Sequence, residues 1–549
     1  MDTIAVMTIA DEGAKALLQA RIIDVRRFKG FVVLHVTDGT GSISAVVRGL
    51  KADVSPGQAV RLEGTIGNRD GVLELQVYSF LPLQGVDADV LLSLVQERLD
   101  ALGPAQDGAS WLLPGEQGLC DALSRMPFAQ ASRLLLLALV EQSLIHISHH
   151  ADADGYCAGL AIERALLARA QGTGAARKIR RTACKSPVYG YAEALGDIDS
   201  TGKGLYVILD NGGTAQDIGI AKLKAEGCKV LIVDHHPPRL PDNDALASQH
   251  PARIADCCIN PHLIGQRHTV GQQRSAEKHE AISSGRTGES RGAVATAAVP
   301  SAWNPSAFSA GMLSAELAAS VLGSPGAMPC LPVLAAVSGL ADKASGDMIG
   351  AYVRHVDALG YSRALLDDMI LATDYETWLL RPTSRAESLW AMLCAQPEEA
   401  QRRANLAMAE AKPLREAALA CALHTVKVTH AGSGDDGQGV GQGSGAVVSA
   451  GAAKAWLPLV SRGYPSPGKL TGMVHRELEK QHPSLLTIGM ADGFVVLRST
   501  GGHDVNAMVK ALRSLLPWAM IDGGGHALAG AIRFSPLARK EVFAFLEQL

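Results

Sequence analysis

Cysteine is sparse and unpatterned in this chain. The nine cysteines (Cys120, Cys157, Cys184, Cys228, Cys257, Cys258, Cys330, Cys394, Cys421) include no C-x-x-C spacing, and the adjacent Cys257 and Cys258 are poorly placed as two ligands of one zinc. That excludes a zinc ribbon or a disulfide framework as the organising principle. The cysteines read as reduced core residues of a cytoplasmic protein. Aromatic residues are scarce too, 4% of the chain against 47% hydrophobic residues overall. Alanine makes up much of the remainder and glycine is abundant beside it, which suits a helix-rich α/β protein. Positive charge is not in excess: 51 Lys and Arg face 55 Asp and Glu, for a formal net charge of −4. A global attraction to nucleic acid is thereby excluded, and any such binding must use a local basic groove. No apolar run reaches the ~18 residues a membrane helix needs without a charge, proline or polar break. Met1–Ala10 carries Asp2 rather than a cationic start, so neither a secretory signal nor a membrane partner is expected.

At 549 residues the chain exceeds one compact core, and its texture changes several times. Residues 1–84 hold five short strand-like runs, Ala20–Val25, Phe31–Val36, Ser42–Val47, Ala59–Thr65 and Val72–Tyr78, with an Asp38-Gly39-Thr40-Gly41 turn between the second and third. The pattern predicts an OB-fold-like barrel, a fold that often binds single-stranded nucleic acid through basic and aromatic residues around strands two and three. Arg26, Arg27, Phe28, Lys29, Phe31 and Arg48 are the candidates for such contacts. The alternative is that a phenylalanine is core and the arginines are a solvated loop. Residues 85–130 predict a helical connector. From 131 to 385, strand–helix alternation predicts a parallel α/β domain, interrupted at 266–305 by a Ser/Gly/Ala/Arg-rich insertion without hydrophobic period. A helical linker over 386–424 and a terminal domain over 425–549, with a glycine-rich loop at 432–446, complete the chain.

Three apolar runs of the α/β region end in ionisable residues. The first runs into His149-His150-Ala151-Asp152-Ala153-Asp154-Gly155, the second ends at Asp210, and the third ends in Asp234-His235-His236. In an extended chain His150, Asp152 and Asp154 would share one side. In an open parallel sheet the carboxyl ends of strands face the ligand crevice, so the three ends are expected to converge. A helix cap is the ordinary explanation of one Asp at such a turn, but not of three ends in succession.

These residues carry a resemblance. His150 to Gly155, Asp210 and Asp234-His235-His236 resemble the first three motifs of the DHH phosphoesterase superfamily, and Ser338-Gly339-Leu340-Ala341-Asp342 resembles the fourth. Gly523-Gly524-Gly525-His526 is similar to the signature of the associated DHHA1 domain, and reads here as a turn ahead of a small-residue helix at Ala529-Gly530-Ala531. With the barrel in front, the chain resembles archaeal-type RecJ-like exonucleases. The resemblance implies a parallel-sheet DHH catalytic domain at 131–385 and a smaller α/β DHHA1 substrate-binding domain at 425–549. It also implies two metal ions, Mn²⁺ with Mg²⁺ as the substitute. His150, Asp152 and Asp210 would take one, and Asp154, Asp210, His235 and Asp342 the other. A donor set of carboxylates and imidazoles without thiolate favours those ions independently over a structural zinc. His236 would contact phosphate or supply a proton, with Asp234 orienting a histidine. Gly523, Gly524, Gly525, His526 and Arg498 would contact substrate, whereas Lys469 reads as solvated and His146 and His149 as structural.

The activity implied is metal-dependent exonuclease cleavage of single-stranded DNA or RNA. One alternative is a phosphodiesterase of short oligoribonucleotides or cyclic dinucleotides, which would have no use for a barrel that lengthens the binding path. A second is a replisome-associated scaffold with residual or no activity, against which all six metal-type motif residues are present. Docking to replication or repair proteins is compatible with catalysis.

Overall fold

The alternating apolar residues of the first 82 positions close on themselves. Strands β1 (Lys15–Phe28), β2 (Phe31–Thr37), β3 (Ser42–Arg48), β4 (Ala59–Arg69) and β5 (Val72–Pro82) form a closed barrel in the order β1-β2-β3-β5-β4. Leu18, Ala20, Ile22, Leu34, Val36, Ala45, Val60, Leu62 and Leu75 fill its interior. β1 is longer than its apolar run predicts because it pairs twice, with β4 through Lys15–Arg21 and with β2 through Arg21–Phe28. The register shifts between Ile22 and Asp24, a bulge that bends the strand from one neighbour to the other.

This computed structural model describes residues 6, 12–49, 53–103, 110–171, 173–184, 188–214, 217–238, 240, 247–264, 304–379, 386–430, 453–459, 463–526 and 528–549. Most of the expected insertion at 266–305 and all of the glycine-rich loop at 432–446 lie outside the described residues. The chain divides into two units, Met1–Leu366 and Asp367–Leu549.

In the first unit, helices Gly85–Asp100, Gln117–Leu123 and Phe128–Val140 lead from the barrel to a five-stranded, wholly parallel sheet. Its strands β6 (Ile145–His150), β7 (Ile179–Cys184), β8 (Leu205–Leu209), β9 (Lys229–Val233) and β10 (Cys257–Ile259) lie in the order β10-β9-β8-β6-β7. The three central strands are the apolar runs read from sequence. Helix Ala153–Arg169 packs against helices Ala310–Leu322 and Leu331–Ala341. The α/β class with a barrel in front is therefore the architecture of the chain. The second unit has a six-stranded sheet, β11 (Lys427–His430), β12 (Ala453–Pro458), β13 (Leu485–Ala491), β14 (Phe494–Ser499), β15 (Asp522–His526) and β16 (Ala529–Arg533), in the order β11-β12-β13-β14-β16-β15. Gly523–Ala531 is thus an antiparallel hairpin, not a turn before a helix.

Seven of the nine cysteines are free. Cys330 and Cys394 are not among the free thiols, which corrects the expectation of nine reduced cysteines. Cysteine pairing depends on proximity in space, which separation along the chain does not encode. Among the described residues no helix is long and apolar enough to cross a membrane.

One buried carboxylate ties the connector to the sheet domain. Glu316, 1% exposed, accepts hydrogen bonds from Ser110 Oγ at 2.7 Å, the Trp111 amide at 2.7 Å, the Leu112 amide at 3.3 Å and the Tyr352 hydroxyl at 2.5 Å. Removing the acceptor strands four donors, each costing about 1–3 kcal/mol if left unsatisfied, less whatever relaxation recovers. Glu316→Ala is expected to destabilise the protein by about 3–5 kcal/mol, read as a shifted urea midpoint at unchanged slope.

Candidate metal centre

β6, β8 and β9 are neighbours, so their carboxyl ends lie side by side. β6 ends at His150, and the chain turns at once into helix Ala153–Arg169 with Asp152 as its N-cap. Asp152 Oδ1 accepts from the Gly155 amide at 3.0 Å, while its Oδ2 lies 3.0 Å from His150 Nδ1. Asp152 is therefore both a cap and a member of the cluster, one oxygen for each. Asp154 sits in the first helical turn, so His150, Asp152 and Asp154 are gathered by a strand-to-helix turn. That corrects the extended-chain reading of the motif.

Asp210 follows β8 with φ of 58°, its amide donating to the Val233 carbonyl at 2.9 Å. Its carboxylate faces both ways: Oδ2 is 3.6 Å from His150 Nδ1 and Oδ1 is 3.3 Å from His235 Nε2. His235 Nε2 is also 3.6 Å from Asp154 Oδ2, and His235 Nδ1 is 3.4 Å from Asp342 Oδ2. Ligand-type atoms gather within 4.8 Å of one another in three overlapping groups: His150, Asp152 and Asp210; Asp154, His235 and Asp342; and Asp210, Asp234, His235 and His236.

Burial makes the cluster electrostatically tense. Asp154, Asp210 and His235 are 2–3% exposed. Burial first, then the negative charge of Asp210, raises the Asp154 carboxyl well above the ordinary range. Fixed dipoles hold it in place: Asp154 accepts from the Ala310 amide at 3.0 Å and the Gly311 amide at 2.7 Å, at the N-terminus of helix Ala310–Leu322, and from the Ser338 hydroxyl. Asp234, fully buried, accepts from the amides of Gly213 (3.0 Å), His235 (2.8 Å) and His236 (3.2 Å). Its Oδ1 lies 2.8 Å from His236 Nδ1. Burial disfavours charge on His236, but Asp234 outweighs it and pushes the imidazole up to about 8.

Two residues join this edge that the sequence did not single out. Asn260, just past β10, donates from Nδ2 to the His236 carbonyl at 2.9 Å. His262, on the turn Pro261–Leu263, is pushed down to about 4 by burial and by the charge of His235 beside it. Neither belongs to a recognisable spacing. The third fixed donor to Asp154, Ser338, lies within the quoted Ser338–Asp342 segment but was not given a role.

The remaining predicted residues lie elsewhere. On the barrel, Phe28 is 53% exposed and its ring stacks on Phe31 at 4.9 Å with 13° between planes. Arg48 is opposite Phe31 in the β2–β3 register, and Lys29 is exposed in the adjoining turn. Arg26 and Arg27 are instead paired with Asp24 and Asp53, each at 3.1 Å. In the second unit, Arg498 donates to the carbonyls of Leu497 (2.8 Å) and Gly468 (3.1 Å), and Lys469 lies 3.1 Å from Asp374. Gly523 and Gly525 have φ of 137°, and a β-carbon there would come within 2.1 Å of the Ala531 carbonyl oxygen and 2.6 Å of the Ala529 one. Close strand pairing, whatever else the glycines do, requires them. His146 packs inside the sheet against Thr182 and Asp197.

Comparison with known proteins bears on both halves of the first unit. Residues 16–83 match the model of an OB-fold nucleic acid binding domain of the tRNA anticodon-binding type, and residues 144–281 match that of the DHH family, N-terminal domain. An uncharacterized protein of Methanocaldococcus jannaschii is 24% identical, over 96% of this chain and 68% of its own length. The DHH domain of a member of the s1p family of ribosomal proteins has a similar solved structure, with a TM-score of 0.63 at 24% identity, covering 85% of this chain and 99% of that one. RecJ from Thermus thermophilus in complex with Mn²⁺ gives a TM-score of 0.48 at 18% identity, covering 81% of this chain and 56% of that one. Along the chain, a segment similar to an OB-fold nucleic acid binding domain thus precedes a segment similar to the N-terminal domain of the DHH family.

Proposed function

We propose that this chain is a metal-dependent phosphodiester hydrolase, a RecJ-like exonuclease acting on single-stranded DNA or RNA. The observation that carries the proposal is the meeting of three strand ends at Asp210, whose two oxygens reach His150 on one side and His235 on the other.

The residues fit a pair of divalent cations. Carboxylate oxygens and imidazole nitrogens, without thiolate, suit Mn²⁺ or Mg²⁺. Asp342 caps the C-terminal end of helix Leu331–Ala341, where the helix dipole opposes a negative charge. Together with the nearly buried Asp154 and Asp210, it makes an anionic cluster that a cation would stabilise. His150, Asp152 and Asp210 would hold one ion, and Asp154, Asp210, His235 and Asp342 the other. Bound there, the ions would polarise the scissile phosphate and supply a nucleophilic water at neutral pH. The protein does the rest. Asp234 holds and orients the His236 ring through Nδ1, and the raised basicity of that ring keeps a proton available near neutral pH for a phosphate or leaving-group oxygen.

For the strand, the exposed Phe28–Phe31 stack with Lys29 and Arg48 offers a surface on which bases can stack beside two cations. In residues 425–549, read as a DHHA1 domain, the glycine strand Gly523–Gly525 with His526 is the better candidate for substrate contact. The guanidinium of Arg498 is already engaged with two carbonyls.

With Mn²⁺ and single-stranded DNA or RNA labelled at either end, the chain should release label progressively from one end, and chelation should abolish this. Asp154→Ala and His235→Ala should each lower the rate at least about 100-fold with unchanged circular dichroism. Activity retained in either variant would remove the two-metal assignment. Phe28→Ala with Lys29→Glu should slow degradation of long strands several-fold more than cleavage of a dinucleotide, and equal effects would take the barrel out of the substrate path. In chelator-treated protein, Asp342→Asn should raise stability by about 0.5–1 kcal/mol, because burial, the helix end and the neighbouring carboxylates together oppose its charge more than His235 favours it. A fall in thermal midpoint would contradict that balance.

A further inference from the structure

β6 carries a second imidazole beside the metal centre. His149 is fully buried; its Nδ1 lies 2.8 Å from the His150 carbonyl oxygen and its Nε2 2.8 Å from Arg181 Nη1. A carbonyl oxygen only accepts and a guanidinium only donates. The two contacts therefore allow one arrangement, with the proton on Nδ1 and the lone pair on Nε2. Arg181, on β7, is itself fixed: its Nε donates to Glu163 Oε2 at 2.9 Å, and its guanidinium carbon lies 5.7 Å from the centre of the Tyr156 ring. Tyr156 in turn meets the His149 ring edge-on at 4.6 Å. The space for the ring is cut closely, since a β-carbon on Gly159 would come within 2.5 Å of His149 Cδ2.

The carbonyl that His149 holds is the last of β6. The first turn of the following helix rests on the same peptide, because a β-carbon on Gly155 would lie 2.2 Å from the His150 oxygen and 2.8 Å from its carbonyl carbon. Tyr156, Gly159 and Glu163 stand on that helix, whose N-cap is Asp152 and whose first turn holds Asp154. One peptide thus links the imidazole at the strand end to both aspartates.

We propose that His149 is a positioning residue of the metal centre: its Nδ1–H fixes the His150 carbonyl, and with it the turn that aims His150, Asp152 and Asp154 together, while Glu163 and Arg181 keep its proton on Nδ1. The inference rests on the metal reading above. It also separates two adjacent histidines of one strand, His150 as ligand and His149 as the group that sets the ligand's geometry.

Calorimetric titration of Mn²⁺ into the metal-stripped full chain tests this without recourse to activity. His149→Asn keeps a donor where Nδ1–H stood and loses the Arg181 contact, whereas His149→Phe keeps the ring shape and loses both. The Phe variant should bind Mn²⁺ about 10–100-fold more weakly, the range for groups that orient metal ligands, and the Asn variant should stay within about 3-fold of the unmodified chain. Unweakened binding by a folded Phe variant, or equal weakening in both, would overturn the proposal. Should the Phe variant fail to fold, Arg181→Met decides: a loss of about 3–10-fold supports the relay, and unchanged affinity overturns it. If the unmodified chain takes up no Mn²⁺ at all, the metal reading itself falls, an outcome distinct from failure of the His149 assignment alone.

Discussion

Like charge gathered away from water is the condition on which this structure turns. Asp154, Asp210 and Asp234 are almost wholly buried, with Asp152 and Asp342 beside them. Such a cluster persists only if fixed donors surround it. The chain supplies them from its backbone: a helix N-terminus for Asp154, the Gly155 amide for Asp152, and three loop amides for Asp234. The parallel sheet brings the carboxylates together, and the turns after its strands bring the amides. Packing of helix Ala310–Leu322 against helix Ala153–Arg169 is thus also electrostatic, since it presses a dipole onto a ligand-type side chain.

What the sequence revealed of this arrangement follows a physical line. β8 and β9 are buried along nearly their whole length and so read as nearly continuous apolar runs, whereas β6, equally buried, shows only Ile145 and Ile147 among its histidines. β7, with Arg180 and Arg181, and β10, of three residues, lie at the sheet edges, where alternation is weak and length short. The ends of the central strands announced His150, Asp210 and His235. Asn260, His262 and the donor role of Ser338 arise from elements that meet the site only in three dimensions. The glycine hairpin is the opposite case. Its residues were noticed, but a run of small residues carries no period that separates strand from helix, and the deciding fact, a carbonyl 2.1 Å from the place of a β-carbon, exists only once the strands pair.

The barrel shows how a protein of net negative charge can still offer cationic contacts. Arg26 and Arg27 were indistinguishable in sequence from Lys29 and Arg48, yet the first two neutralise neighbouring aspartates. The bulge that lets β1 serve two partners also carries its far end out to the turn where Phe28 lies on Phe31. Barrel closure and the exposed ring pair are therefore products of the same strand.

β15 lies at the margin of its sheet, and three of its five residues are glycine. Along that stretch the strand itself contributes backbone and no side chains, and the Gly525 carbonyl accepts from Asn506 Nδ2 at 2.9 Å. A molecule laid against it would be sensed through its shape and its own polar backbone, not through the identity of its monomers.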